Sequence, residues 1–281
     1  MKETVITCYI DNDRNIIAEF GWLVRSWLYS GSWLISDIIA FHAPEVETTN
    51  LPEEPGITYI PMPAFSRAHA EWADYPFINS LGYFSSPEIA AIASYRCVLR
   101  TDCDCFLTPH FKNLNPRLTT FGAGQYAGEP EVVHRLAVIA ERWGIKPVFN
   151  NIGSSVFGKV ENIITYTNIH LEYCKRLLEE EFKDGIGKWP GWYKGVLSMY
   201  AGQLAAQSYF GLALNIGGLD VHCMCHDPIG SQDYHIHAWH SYEHFSKFNW
   251  RSGKYRDIDF KALNPLIIAD YCLWIAGKGP E

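Results

Sequence analysis

The chain has 281 residues, 48% of them hydrophobic and 19% charged, with a formal net charge of −8. That is the composition of a folded globular protein and excludes wholesale disorder. An acidic chain without a Lys/Arg block is a poor nucleic-acid binder, because phosphate affinity needs clustered cations. No run approaches the ~20 apolar residues that cross a bilayer, and the N-terminus lacks the basic and long apolar regions of a secretory signal. The expectation is a soluble, cytoplasmic protein with neither a nucleic-acid partner nor a membrane span. Eight cysteines are scattered through apolar runs without a Cys-x-x-Cys pair; they read as reduced core thiols.

Residues 5–10 are rich in β-formers and end at the turn cluster Asp11-Asn12-Asp13, which predicts a first strand. Apolar residues at helical spacing (Ile17, Phe20, Leu23, Trp27) predict a helix over 16–29. Short strands are expected at 37–41 and 57–60, separated by a Pro-containing loop over 48–56. Residues 87–96 read as a helix capped by Ser85 or Ser86, and 97–101 as a strand. This alternation argues for a mostly parallel sheet flanked by helices, and ligands of such sheets sit beyond the carboxyl ends of the strands. Farther on, Gly122, Gly124 and Gly128 suggest a mobile loop. Helices are expected over 131–143, 160–182 and 197–210, with a strand at 147–149. Gly217-Gly218, a short strand and a His-rich stretch over 222–244 follow. No repeat or linker interrupts the pattern, so the fold class is α/β with one domain over 1–281.

Two local patterns carry chemistry. In Arg100-Thr101-Asp102-Cys103-Asp104-Cys105 two carboxylates lie two residues apart, just past a buried strand. Continued strand geometry turns both to one side. There they repel each other unless a divalent cation lies between them, and Mg²⁺ or Mn²⁺ prefers such oxygen ligands. The second pattern runs from Asp233 to Phe248 and contains His235, His237, His240, Glu243, His244 and Lys247. One imidazole can complete the shell begun by Asp102 and Asp104, and Lys247 can neutralise a diphosphate as a point charge.

Together these features resemble glycosyltransferases of the GT-A fold, and in particular their glycogenin-like branch. The segment Cys-Val-Leu-Arg-Thr-Asp-Cys-Asp, residues 97–104, is similar to that branch's Asp-x-Asp strand. Phe149-Asn150-Asn151-Ile152-Gly153 is similar to its Phe-Asn-Ser/Ala-Gly segment, and His240 with Lys247 and Trp250 to its C-terminal His…Lys-Pro-Trp. Residues 99–109 and 237–242 also look like an uncharacterised group of algal, fungal and large-virus proteins. Three departures stand out: the His240–Lys247 spacing is one residue longer, Phe248 replaces Pro, and Gly202-Gln203 stands where the branch has Asp-Gln.

The resemblance implies a Rossmann-like GT-A domain in which residues 1–110 bind a nucleotide sugar. Residues 111–281 would then carry the acceptor site and a C-terminal metal and phosphate segment. It implies metal-dependent transfer of a hexose or pentose from a nucleotide-diphosphate sugar, with a uridine diphosphate sugar as the usual donor, to a hydroxyl of a glycan or glycoprotein. Asp102, Asp104, His237 and His240 would hold Mn²⁺ or Mg²⁺. Thr7, Tyr9, Asp11, Arg96, Arg100, Asp102 and Lys247 would contact the donor. Asp233, or second Glu243, would take the acceptor proton if configuration inverts, while Trp189, Trp192 and Trp239 are candidates to stack on sugar faces. Two other classes stay open: a zinc-dependent hydrolase built on His235, His237 and His240, and a non-catalytic carbohydrate-binding protein of the same fold.

Overall fold

The computed structural model describes residues 2–115, 117–224, 226–239 and 245–277. Strand β1 (Thr4–Ile10) lies between β2 (Ser36–His42) and β4 (Cys97–Arg100), parallel to both, with β3 (Ile57–Pro61) outside β2. Strand β1 is covered on both faces, which is why its sequence is a nearly continuous apolar run. Helix α1 (Arg14–Tyr29) begins where Asp13 accepts hydrogen bonds from the amides of Asn15 and Ile16. It buries Phe20, Leu23, Val24 and Trp27 in the main core, while Trp22 turns away and stacks on Phe106.

Between β3 and β4 the chain makes short turns, including α2 (Phe65–Ala68) and α3 (Asn79–Gly82). The helix expected over 87–96 is only a 3-10 stretch, Pro87–Ile92. The amides of Arg96 and Cys97 already donate to the carbonyl of Glu3, so the chain has entered the sheet.

After β4 the chain leaves the main sheet. Strand β5 (Cys105–Leu107) starts a small second sheet of order β5-β10-β9, with β9 (Val221–His222) and β10 (His235–His237). The main sheet continues with β6 (Thr120–Ala123), β7 (Ile152–Lys159) and β8 (Asn215–Ile216), in the order β3-β2-β1-β4-β7-β6-β8. Strand β7 is antiparallel to both β4 and β6. The strand expected at 147–149 does not form. Two glycines and two serines in β7 hide its apolar alternation. Gly122, expected in a loop, belongs to β6.

Helices α4 (Pro130–Arg142), α5 (Val160–Glu181) and α6 (Leu197–Phe210) follow the predicted spacing. Helix α7 (Lys247–Arg251) and helix α8 (Ile268–Gly277) close the chain against α1. Helix α8 is apolar on nearly every side, so no amphipathic period marks it. Its last carbonyls, Ile275 and Ala276, accept hydrogen bonds from the Arg25 guanidinium of α1 at 2.8 and 3.0 Å. No helix among the described residues is long and apolar enough to cross a membrane.

Candidate active site

The chain turns at residues 101–104, between β4 and β5. Two bonds hold the turn against the carboxyl end of β1: the Thr101 amide donates to the Thr7 carbonyl (3.0 Å), and the Cys103 thiol to that of Tyr9 (3.3 Å). Asp102 and Asp104 then face one imidazole. His237 Nε2 lies 3.2 Å from Asp104 Oδ1 and 3.9 Å from Asp102 Oδ2. The pairing of β10 with β5 places it there, with His237 opposite Cys105.

The other ring nitrogen of His237, Nδ1, lies 3.2 Å from Asp220 Oδ1. Asp220 is a residue that sequence reasoning missed. It follows Gly217-Gly218, adopts a left-handed backbone (φ 54°) and has a fully buried side chain. Its carboxylate accepts from the Ser155 amide (2.8 Å) and hydroxyl (2.6 Å). A methyl group at Gly122 or Gly153 would stand 1.9 or 2.1 Å from Asp220 Oδ2, so these two glycines form the slot that admits it. The glycine of the Phe-Asn-Asn-Ile-Gly segment therefore has a packing reason here.

The charges are tightly coupled. Burial disfavours a charged His237, but the carboxylates of Asp104 and Asp220 reverse this and raise its pKa to about 10. Burial likewise disfavours an ionised Asp220, yet bonds and charge from His237, with His235 and Ser155, lower its pKa to about 2. His237 is thus an imidazolium between carboxylates.

His235 is its opposite. The Asp220 amide donates to His235 Nδ1 (3.1 Å), so Nε2 carries the hydrogen and donates to Thr101 Oγ1 (2.8 Å). Burial lowers its pKa to about 4, and it is neutral at pH 7.

Lys247, the first residue of α7, bonds through Nζ to Asp104 Oδ2. Burial opposes both charges. The ammonium and the imidazolium nevertheless hold the Asp104 carboxyl far below the usual carboxylate range, and Asp104 raises Lys247. Behind this pair, Glu19 of α1 accepts from Arg251 of α7 through Nε (3.0 Å) and Nη2 (2.6 Å). Burial and the nearby Asp104 charge push Glu19 up to about 7. One acid inside the apolar period of α1 was the only sequence signal for this tie.

The other predicted residues separate by position. Asp11 lies at the end of β1 and accepts from Asn79 Nδ2 (2.8 Å); burial raises its pKa. Thr7 and Tyr9 are buried, and their hydroxyls donate to the carbonyls of Ile39 and Met62 (both 2.9 Å). They support the strand end rather than present free hydroxyls to a donor. Arg100 is buried at the end of β4. Arg96 precedes β4, at the opposite end of the strand from Asp102, and pairs with Glu3 at 3.1 Å.

Asp233 stands four residues before His237, ~13 Å along extended chain. Its carboxylate caps a local turn by accepting from the Gly230 amide at 2.7 Å. His240 and Glu243 lie outside the described residues. Trp192 is a core residue stacked between Phe182 and Tyr200, Trp189 is half exposed, and Trp239 packs edge-on against His222 and His237.

Asp104, Cys105 and His237 each offer a ligand atom, all within 4.8 Å of one another, with Asp102 alongside. Burial and the surrounding acids push the Cys105 thiol well above its ordinary pKa, so it is a neutral and poor ligand. Two carboxylates and one imidazole remain, a donor set that fits a hard or borderline divalent cation once His237 Nε2 gives up its proton. Both ring nitrogens of His235 are engaged in hydrogen bonds, so His235 does not join His237 in a histidine zinc site.

Residues 1–271 match the family described as "Domain of unknown function (DUF7164)". No curated protein matches the sequence. Among solved structures, the galactosyltransferase LgtC in complex with donor and acceptor sugar analogues is similar, with a TM-score of 0.57 at 11% identity. That match covers 99% of this chain and 96% of the other. An active-site mutant of LgtC matches with a TM-score of 0.56 at 10% identity, over 90% of this chain and 94% of that one. The mixed seven-stranded sheet flanked by helices is the GT-A fold of these structures.

Proposed function

We propose that this chain, which belongs to the DUF7164 family, is a glycosyltransferase that moves a sugar from a nucleotide-diphosphate donor to a hydroxyl of a glycan or glycoprotein. The observation that carries the reading is the convergence of Asp102, Asp104, His237 and Lys247 at the carboxyl end of β4, beside the end of β1. In an α/β sheet that edge is where ligands bind. The two similar structures, one of them holding donor and acceptor sugar analogues, support the same reading.

Asp102, Asp104 and His237 would hold Mn²⁺ or Mg²⁺. Such an ion supplies Lewis-acid stabilisation of the negative charge that gathers on a departing diphosphate. Lys247 adds a cation on the same side. Glu19 and Arg251 hold α7 in place, so the ammonium is positioned before a ligand arrives. Uridine diphosphate is the carrier proposed, with a hexose or pentose as the transferred sugar. Because His235 is neutral and fully bonded, the histidine-based hydrolase is the weaker reading.

The test is calorimetric titration of UDP into the protein with and without Mn²⁺. Wild type should bind UDP only with the metal. Asp102→Asn should weaken that binding by at least about tenfold, equivalent to ~1.4 kcal/mol, while melting like wild type. Asp102 suits the test because its side chain is 28% exposed and bonds less tightly than Asp104. Equal UDP affinity with and without metal in wild type would refute the assignment.

A further inference from the structure

Arg100 is 4% exposed. Its Nε is buried without a hydrogen-bond partner, and no carboxylate among the described residues pairs with its guanidinium. Desolvating a guanidinium costs several kcal/mol unless an anion answers it. Asp102, two residues on along extended chain, turns to the same side as Arg100, while Thr101 between them turns its hydroxyl the other way, to Ser155 (3.3 Å) and His235 (2.8 Å).

Arg100 itself lies among neutral groups. It pairs in register with Thr7 of β1 and Val156 of β7, and its charge bears on Tyr83, Tyr166 and His170. The Tyr83 hydroxyl is buried and feels the charges of both Arg100 and Asp102. His170 donates through Nε2 to the Ser198 carbonyl (2.6 Å), so its Nδ1 is a buried lone pair, also without a partner. Arg100 Nε and the Nδ1 lone pair of His170 are thus both buried and unsatisfied.

We propose that Arg100 recognises a carboxylate on a sugar bound beneath Asp102, so that the substrate of this site is a uronic acid. The inference rests on the donor reading above. A diphosphate held by Asp102, Asp104 and Lys247 occupies the outer end of the strand, whereas Arg100 stands two positions deeper, ~7 Å along it. A group that reaches there projects beyond the phosphates, where the donor's sugar lies. Among sugar substituents a carboxylate offers the two parallel acceptors that a planar guanidinium fits. Tyr83 and His170 are then placed to bond neighbouring hydroxyls.

The experiment compares UDP, UDP-glucose and UDP-glucuronic acid by calorimetry in Mn²⁺, on wild type, Arg100→Met and Arg100→Lys. Wild type should bind UDP-glucuronic acid at least about tenfold more tightly than UDP-glucose, the scale of one charge-assisted pair. Arg100→Met should abolish that preference and leave UDP affinity within about twofold. Arg100→Lys, which keeps the charge but not the fork, should retain part of it. A second arm titrates free glucuronate into the complex with UDP and Mn²⁺. If glucuronate binds there and Arg100→Met abolishes it, while the two donors bind equally, the carboxylate belongs to the acceptor.

UDP binding with no discrimination in either arm overturns the inference and leaves the donor reading intact. Loss of UDP affinity itself in Arg100→Met assigns the arginine to the diphosphate and overturns it too. Failure of wild type to bind UDP at all removes the donor reading, and this inference with it. The wild-type comparison needs no variant, so it decides even if Arg100→Met does not fold.

Discussion

Asp220→Asn removes one of the two carboxylates that hold His237 charged at nearly constant volume; its single amide oxygen can still accept from the Ser155 amide. Folding lowers the Asp220 carboxyl from 3.8 to about 2, an interaction on the order of 2–3 kcal/mol. The side chain is 0% exposed, so solvent screening takes nothing from this. In a chain of this size that lowers Tm by roughly 3–5 °C.

The pH dependence has a definite sign. Asp220 is depressed, so its stabilisation is present above pH 3.8 and lost as pH falls towards 2. His237 is raised from 6.5 to about 10, so its share is complete below 6.5 and disappears as pH rises through 10. The two shifts describe one shared interaction and count once. The gap in Tm between wild type and Asp220→Asn should therefore be widest near pH 6 and should close towards pH 10. Near-UV circular dichroism melts with EDTA, at pH 6 to 10 in unit steps, measure it. A gap that is constant to pH 10, or absent at pH 6, would refute the charge-coupled account of this site.

Gly153→Ala drives a methyl group to 2.1 Å from Asp220 Oδ2 and 3.0 Å from the Gly122 carbonyl carbon; neither neighbour can yield, so it should cost roughly 3 kcal/mol in urea denaturation. Gly128→Ala, which meets nothing within 4 Å, is the matched control and should leave the midpoint unchanged. Lys247→Met strands a buried Asp104 on one cation; breaking such a pair costs about 3–5 kcal/mol, read as a lowered urea midpoint at pH 7. Trp22→Ala removes a side chain that stacks on Phe106 and meets Phe245 and Trp250 edge-on. It should cost about 3–5 kcal/mol and weaken Mn²⁺ binding measured by calorimetry, although Trp22 touches none of the acids.

The sequence by itself determined the β1–α1–β2 unit, the strand leading to Asp102 and the helices α4, α5 and α6, because each announces itself within one window: the strands as short apolar runs bounded by turn residues, the helices as longer runs with few of them. It also put Asp102, Asp104, His237 and Lys247 on one list, because acids two apart past an apolar strand and a His-rich segment are local chemical anomalies. What it could not do was give His237 and His235, two residues apart on one strand, their opposite charge states. Only the pairing of β10 with β5 and the amide of Asp220 make one an imidazolium and the other neutral.

Asp220 and Ser155 were silent, and Glu19 nearly so, for the same reason. A carboxylate in a slot between two glycines of different strands, or an acid that pairs across helices, has no signature within its own segment. Strand β7 was hidden because Gly153 and Ser155 serve that slot rather than an apolar core face. Arg96 and Arg100 look interchangeable in the sequence, yet four residues of extended chain put one at the solvent end of β4 and the other in the buried interior. Local periodicity encodes which face of an element is covered; the energy of a buried charge depends on what the rest of the fold brings to within a few ångströms of it.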